Sequence, residues 1–383
     1  MALKLVYCIP SLFSFGGMEK VVTIKANYLA DNFNYDITII LTDGKDKDPA
    51  FPLSPKIKVV NLDINYDKIW RCNIFIKFFI HHYKQILYEK RLKKALLEIK
   101  PDITVSMLRR EINFLSHIKD GSIKVGELHF NRLNYRDFNT GGNAIGVKAF
   151  FAFIWMKQLI RELRKISKFV VLSHEDKANW EADISNIAVI HNPLSEYPDK
   201  LSDCSSKKVI AAGRYVSQKG FDMLLESWKI VTKSHPDWTL SIYGDGDRTA
   251  FEKMVEKYKM EDSVALNGAV TNLNSKFLES SIFAFSSRFE GFGMVVAEAM
   301  SCGIPAVSFA CPCGPKDIIT DNVNGLLVEP NNTTEFAQKL CYLIENENIR
   351  KEMGKSAALR SKDFDIKVIA EQWNNLFTEL THK

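Results

Sequence analysis

The stretch Arg288-Phe289-Glu290-Gly291-Phe292-Gly293-Met294-Val295-Val296-Ala297-Glu298-Ala299-Met300 places two carboxylates eight positions apart around the start of a short helix. Just before it, Ile282 to Phe285 reads as a buried strand. Just after it, Gly303 and Pro305 stop the helix. Glu290 therefore falls at a strand end and Glu298 inside the helix. The Gly291-Phe292-Gly293 turn directs free backbone N–H groups outward at the helix N-terminus, an anion site suited to a diphosphate. Glu298 interrupts an otherwise apolar helix and needs a strong hydrogen-bond partner. A sugar diol on one side of a bound diphosphate meets that need, and Glu290 is placed to hold a second sugar on the other side. A helix with one solvated Glu is the alternative that spacing alone leaves open.

Outward from this stretch, apolar runs of strand length alternate with helical stretches. The first series is Leu3–Ile9, Ile37–Leu41, Val59–Leu62, Ile103–Met107, Lys124–Glu127, Phe169–Leu172 and Ala188–Ile190. The second is Val209–Ala212, Thr239–Tyr243, Val264–Leu266, Ile282–Ser286, Ala306–Phe309 and Gly325–Val328. Two such series predict an α/β protein of two doubly wound, Rossmann-like domains. The expected division is 1–192, a polar linker at 193–206, 207–364, and a final helix within 365–383. Ligands of doubly wound sheets bind beyond the strand C-termini, so two facing sheets are expected to bind substrate in a central cleft.

Several loops at strand ends carry residues suited to phosphate. Gly213-Arg214 follows the first strand of the second series, with Lys219-Gly220 five residues later. One Arg and one Lys in such a loop can clamp a diphosphate from both sides. Gly16-Gly17 follows the first strand of the chain, where glycine permits close approach of a ligand. Gly244-Asp245-Gly246 is too short for a dinucleotide fingerprint and reads as a tight turn. Gly268-Ala269-Val270 offers backbone groups beside it.

Glu290–x7–Glu298 in the form Phe-Glu-Gly-Phe-Gly, with Glu-Ala-Met and Gly-Ile-Pro after it, resembles the signature of glycosyltransferase family 4. The resemblance extends to Gly213-Arg214, Lys219-Gly220, Gly244-Asp245-Gly246, Asn324-Gly325-Leu326-Leu327-Val328 and, more weakly, Gly16-Gly17-Met18-Glu19, which is nearly the whole chain. It implies a retaining, metal-independent enzyme of GT-B fold, similar to bacterial surface-polysaccharide glycosyltransferases. Arg214 and Lys219 then neutralise the leaving nucleoside diphosphate in place of a metal. Gly17, Gly213, Gly244, Gly268, Phe292, Gly293, Met294, Val295 and Glu298 line the donor, and Glu290 joins Arg214 and Lys219 in catalysis. The family also has a catalytic-site His, often in a Glu-His pair. Here the order is Glu127-Leu128-His129, which makes His129 the candidate, with His174 behind it and Arg109 or Arg110 toward the acceptor. The last helix crosses back onto the first domain in such enzymes.

Charge is uneven. The 383 residues carry +5, but residues 1–197 hold 29 Lys+Arg against 21 Asp+Glu, and the remainder is net −3. Basic and aromatic residues gather in Lys68–Lys100, with Trp70, Phe75, Phe78, Phe79 and Tyr83, and in Lys148–Lys168, with Phe150, Phe151, Phe153 and Trp155. That combination favours an anionic membrane surface. Nucleic acid is disfavoured, since no binding motif accompanies the charge. No apolar run approaches the ~20 residues needed to span a bilayer, and the N-terminus reads as a strand entering the fold rather than a targeting segment. Seven cysteines without framework spacing suit a reducing cytoplasm, and Cys311-Pro-Cys313 lacks partners for zinc.

These readings combine into a hexosyltransferase, cytoplasmic and peripheral to the inner face of the cell membrane. It is expected to pass a hexose or N-acetylhexosamine from a nucleotide sugar, UDP-linked, to a hydroxyl of a glycan or polyprenyl-diphosphate-linked acceptor in lipopolysaccharide or capsule assembly. No metal or other cofactor is expected. Two alternatives stand beside it: a GT-B nucleotide-sugar epimerase, which would need Glu127 or Glu111 as its acid, and a catalytically silent glycan-binding subunit at the membrane surface.

Overall fold

The computed structural model describes residues 2–67, 74–137 and 147–382, without the side chains of 74–78, 135–137 and 147–151. The chain forms two compact units: Met1–Leu172, Asp176–Pro193 and Ile366–Lys383 in the first, Ser173–Glu175 and Leu194–Asp365 in the second. Each is built on one wholly parallel sheet.

The first sheet contains β1 (Lys4–Ile9), β2 (Asp36–Leu41), β3 (Lys58–Asn61), β4 (Ile103–Ser106), β5 (Ile123–Glu127), β6 (Lys168–Val171) and β7 (Ile187–Val189), in the order β3-β2-β1-β4-β5-β6-β7. The second contains β8 (Lys208–Ala212), β9 (Thr239–Tyr243), β10 (Val264–Asn267), β11 (Ile282–Phe285), β12 (Ala306–Phe309) and β13 (Gly325–Val328), in the order β10-β9-β8-β11-β12-β13. Every strand read from the sequence is present, shifted by a residue or two at its ends. The inner strands are buried along most of their length because parallel sheets carry helices on both faces.

In each sheet the strand order reverses once, between β1 and β4 and between β8 and β11. A ligand crevice forms outside the carboxyl ends at such a point. The loops leaving those strands hold the sequence candidates: Gly17 after β1, Arg109 and Arg110 after β4, Gly213 to Lys219 after β8, and Glu290 to Gly293 after β11.

The helix Ile366–Thr381 belongs to the first unit, although it ends the chain. Its buried Trp373 and Phe377 join Leu5, Tyr7, Val22 and Ala26 in one core. Tyr35 Oη donates to Asn374 Oδ1 at 2.6 Å. The stretch 193–206, read from its polarity as a linker, is a correction: nearly all of it is built into the second unit. Its backbone at Leu194 pairs with Asp365. Cys204 is buried, and its carbonyl accepts from Arg350 Nε at 2.9 Å. Polar composition there reflects backbone partners in the second unit rather than a free tether.

Candidate active site

In the second unit, the two loops that carry the acid and base candidates are bolted together. Arg288 donates from both terminal nitrogens to Asp222, at 2.8 and 2.6 Å, and reaches the Ser217 carbonyl at 2.6 Å. Arg288 N donates to the Gln218 carbonyl, and Gln218 Nε2 returns a bond to the Phe289 carbonyl at 3.0 Å. Burial opposes ionisation of Asp222, but the Arg288 hydrogen bonds and charge outweigh it and hold its carboxyl below the ordinary range. Asp222, Gln218 and the role of Arg288 were not found from sequence. The fork geometry of an Arg–Asp pair 66 positions apart leaves no local signal.

The clamp sets Lys219 against Glu290, with Nζ donating to Oε1 at 2.7 Å. Both side chains are largely withdrawn from water, at 15% and 9% exposure. A lysine has three N–H donors. One bond to Glu290 leaves two for phosphate oxygens. Arg214, in the same loop, is exposed, and no side-chain partner is found for it among the described residues. The aliphatic stem of Lys219 lies on Gly213, where an added Cβ would come within 3.1 Å of it. A Cβ on Gly244 would sit 1.8 Å from the Gly213 carbonyl, so those two loops touch through backbone. Among the described residues, apart from the adjoining backbone, nothing lies within 4 Å of a Cβ built at Gly17 or Gly268.

The helix after the second carboxylate loop runs Met294–Ser301, with Gly293 as its cap at φ +92°. A side chain is strained at that angle, so glycine suits the turn. The first-turn N–H groups of Met294 and Val295 have no preceding turn to bond. Glu298 is half-buried, one turn into the helix. Phe292, expected to line the donor, packs its side chain inward. Its ring is buried and stands edge-on to Phe364 at 5.5 Å, leaving only its backbone for a ligand.

In the first unit, β5 ends at Glu127, and His129 follows with its side chain 4% exposed. His129 Nε2 lies 3.2 Å from Glu127 Oε1, within ion-pair range but off a hydrogen-bonding line. The other oxygen, Oε2, accepts from Lys25 Nζ. Burial alone raises the Glu127 carboxyl, but Lys25 first, with His129 after it, reverses that and holds it well below the carboxylate range. Burial pulls Lys25 down, and Glu127 offsets part of the shift. The Glu127 direction governs the site at neutral pH, because a cation is hydrogen-bonded to it. Lys25 was missed from sequence, where one Lys in an amphipathic helix reads as surface charge. His174 opens the helix His174–Trp180.

Glu111 accepts from Ser106 Oγ at 2.6 Å and Arg109 N at 3.1 Å, bracing the turn after β4. Arg110 lies with its guanidinium 4.1 Å over the Tyr66 ring, and burial lowers it from its ordinary value.

Residues 197–360 match the family model described as Glycosyl transferases group 1. An uncharacterized glycosyltransferase of Haemophilus influenzae is 29% identical over 97% of this chain and 99% of its own length. The Campylobacter jejuni enzyme named a GalNAc-alpha-(1->4)-GalNAc-alpha-(1->3)-diNAcBac-PP-undecaprenol alpha-1,4-N-acetyl-D-galactosaminyltransferase is 27% identical over 99% of both chains. Among solved structures, S. aureus TarM in complex with UDP superposes with a TM-score of 0.79, covering 98% of this chain and 100% of that one at 19% identity. Two parallel Rossmann-like sheets, a glycosyl transferases group 1 domain over residues 197–360 and full-length glycosyltransferase relatives lead to one conclusion: the chain is a glycosyltransferase of GT-B fold.

Proposed function

We propose that the chain is a retaining, metal-independent hexosyltransferase that uses a UDP-linked hexose or N-acetylhexosamine and extends a glycan carried on a polyprenyl diphosphate. The observation that carries this reading is Lys219, held 2.7 Å from Glu290 beside Gly213 and an exposed Arg214. Arg214, the two remaining Lys219 donors and the N–H groups at the helix start of Met294 stabilise the departing diphosphate. Glu298 takes the ribose diol, and Glu290 takes hydroxyls of the transferred sugar. With no nucleophile assigned to the donor's opposite face, attack proceeds on the same face through an oxocarbenium-like state. UDP in the TarM structure and the undecaprenol-linked substrate in the name of the Campylobacter relative support the choice of donor nucleotide and acceptor.

Membrane contact is part of the proposal. Along the helix Ile74–Ile99, Phe79, Tyr83 and Ile86 lie on one face and are exposed, while Tyr88, Leu92 and Leu96 are buried. Phe153, Ile154 and Trp155 are exposed on the helix Val147–Leu163. Such stripes among cations suit a peripheral position on an anionic leaflet at the inner face of the cell membrane. Trp70 and the side chains of Phe75, Phe78, Phe150 and Phe151 lie outside the described residues. Among the described residues, no helix is long and apolar enough to cross a membrane.

The test is a donor panel of UDP- and GDP-sugars with lipid-linked glycan acceptors, read by nucleoside diphosphate release and product anomer. Turnover of a UDP-sugar with retention is expected. Free epimerised sugar, or no turnover with any donor, overturns the reading. Vesicle binding is expected to need anionic lipid and to weaken with salt, because exposed charges are screened over about 8–10 Å. Equal binding to neutral vesicles removes the electrostatic part.

A further inference from the structure

The first unit buries a charged pair that stability does not account for. Lys25 and Glu127 are 0% and 1% exposed. Taking two such charges out of water costs several kcal/mol per ion, and a well-packed apolar pair of similar volume is often as stable or more so. Buried charges beside a reactive side chain are instead a mark of functional sites.

The geometry shows what the pair does. The Glu127 carboxylate is divided between two partners. Oε2 takes the Lys25 ammonium, and Oε1 faces His129 Nε2 at 3.2 Å. The ammonium is confined by aromatic faces, with Trp373 at 4.0 Å and Tyr7 at 5.3 Å from ring centroid to Nζ. Among the described residues, Tyr7 Oη is buried without a hydrogen-bond partner. The carboxylate is therefore anchored at one oxygen by a cation that cannot swing into water, and its other oxygen lies 3.2 Å from the imidazole, in ion-pair range though off a hydrogen-bonding line.

We propose that Lys25 is a positioning residue which, through Glu127, fixes the ring of His129 for sugar transfer. This rests on the glycosyltransferase reading of His129. Removing Lys25 leaves Glu127 buried without its counter-ion. The carboxyl then takes up a proton or turns, and either change releases the ring. Trp373 brings the helix Ile366–Thr381 into the same device, since its buried ring lies 4.0 Å from the Lys25 ammonium.

The experiment uses full-length protein with 15N-labelled histidine. The His129 ring signals are identified by their loss in His129→Asn, and they report tautomer and hydrogen bonding. Three variants are compared with wild type: Lys25→Met, Glu127→Gln and the double substitution. Lys25→Met and Glu127→Gln are expected to move the His129 ring signals in the same direction. Each is expected to lower kcat about 10- to 100-fold, the scale of losing a side chain that orients a reacting group, with donor KM little changed. The double variant is expected to regain the thermal stability lost in Lys25→Met and not to regain kcat. Recovery of both stability and kcat in the double variant overturns the proposal, as do unmoved ring signals in Glu127→Gln and the double variant. If Lys25→Met does not fold, the double variant against Glu127→Gln carries the same comparison. If wild type turns over no donor, the glycosyltransferase reading fails, while the ring signals still decide whether Lys25 and Glu127 hold His129.

Discussion

Each unit sets a lysine on a glutamate, and the two pairs differ in what surrounds them. Lys25 and Glu127 are sealed, with Trp373 and Tyr7 against the ammonium. Lys219 and Glu290 are 15% and 9% exposed, in loops that follow β8 and β11. A sealed pair has one arrangement available, so it suits holding something still. A pair at the rim can share its lysine with an arriving anion, so it suits binding and release. The difference lies in solvent access rather than in residue type.

The comparison makes opposite demands on the two lysines. Lys25→Met is expected to cost about 3–5 kcal/mol of stability, as removal of one partner of a buried pair does, whereas Lys219→Ala, which leaves Glu290 at the edge of solvent, is expected to cost less, about 1–3 kcal/mol. Chemical denaturation of both variants measures this, and equal losses erase the distinction. Glu127 adds a pH signature. Its folded carboxyl is depressed below the ordinary value of 4.5. Its contribution is therefore present above that value and lost as pH falls below it. Denaturation at pH 7, 5 and 3 is expected to show a steeper acid loss in wild type than in Glu127→Gln.

Turnover is expected to reverse the order. Lys219→Ala should lower kcat about 100- to 1000-fold, because it removes a charge aimed at the leaving diphosphate. A loss below 10-fold removes Lys219 from that role. The carboxylates separate next. Glu298→Gln should weaken UDP by about 10- to 150-fold, the value of one charge-assisted hydrogen bond, while Glu290→Gln should spare UDP and reduce turnover. Calorimetric titration of UDP into both variants checks this, and the reverse pattern exchanges their roles. Last, EDTA is expected to leave the rate unchanged, since Arg214 and Lys219 are proposed to do the work of a metal at the diphosphate. Inhibition reversed by magnesium breaks the parallel between the two lysines, because an ion would then carry part of the charge assigned to Lys219.

How much of this was legible depended on whether the signal was local. All thirteen strands of the described residues could be read because helices cover both sheet faces, which forces near-continuous apolar runs. Glu290, Glu298 and the Gly293 cap lie within one turn-and-helix segment, so spacing found them. Lys25 and Glu127 are 102 positions apart and meet only because β1, its following helix and β5 share one sheet. Arg288 and Asp222 meet in the same non-local way. The packing of the Phe292 ring was not legible, because a phenylalanine between two glycines gives no indication of which way its ring turns. Its partner Phe364 comes from the far end of the unit. The 193–206 segment was misread because polarity reports hydration in a free chain and backbone satisfaction in a packed one.

The helix Ile366–Thr381 has a consequence for biosynthesis. The first unit is interrupted in sequence by the second, so Trp373 and Phe377 are made after the whole of the second unit. On a ribosome, the segment through Pro193 emerges first yet lacks part of its core until the helix Ile366–Thr381 has followed. The second unit, largely continuous from Leu194 to Asp365, can close before it. The lysine–glutamate pair of the first unit therefore acquires its aromatic lid only after the second unit has been made.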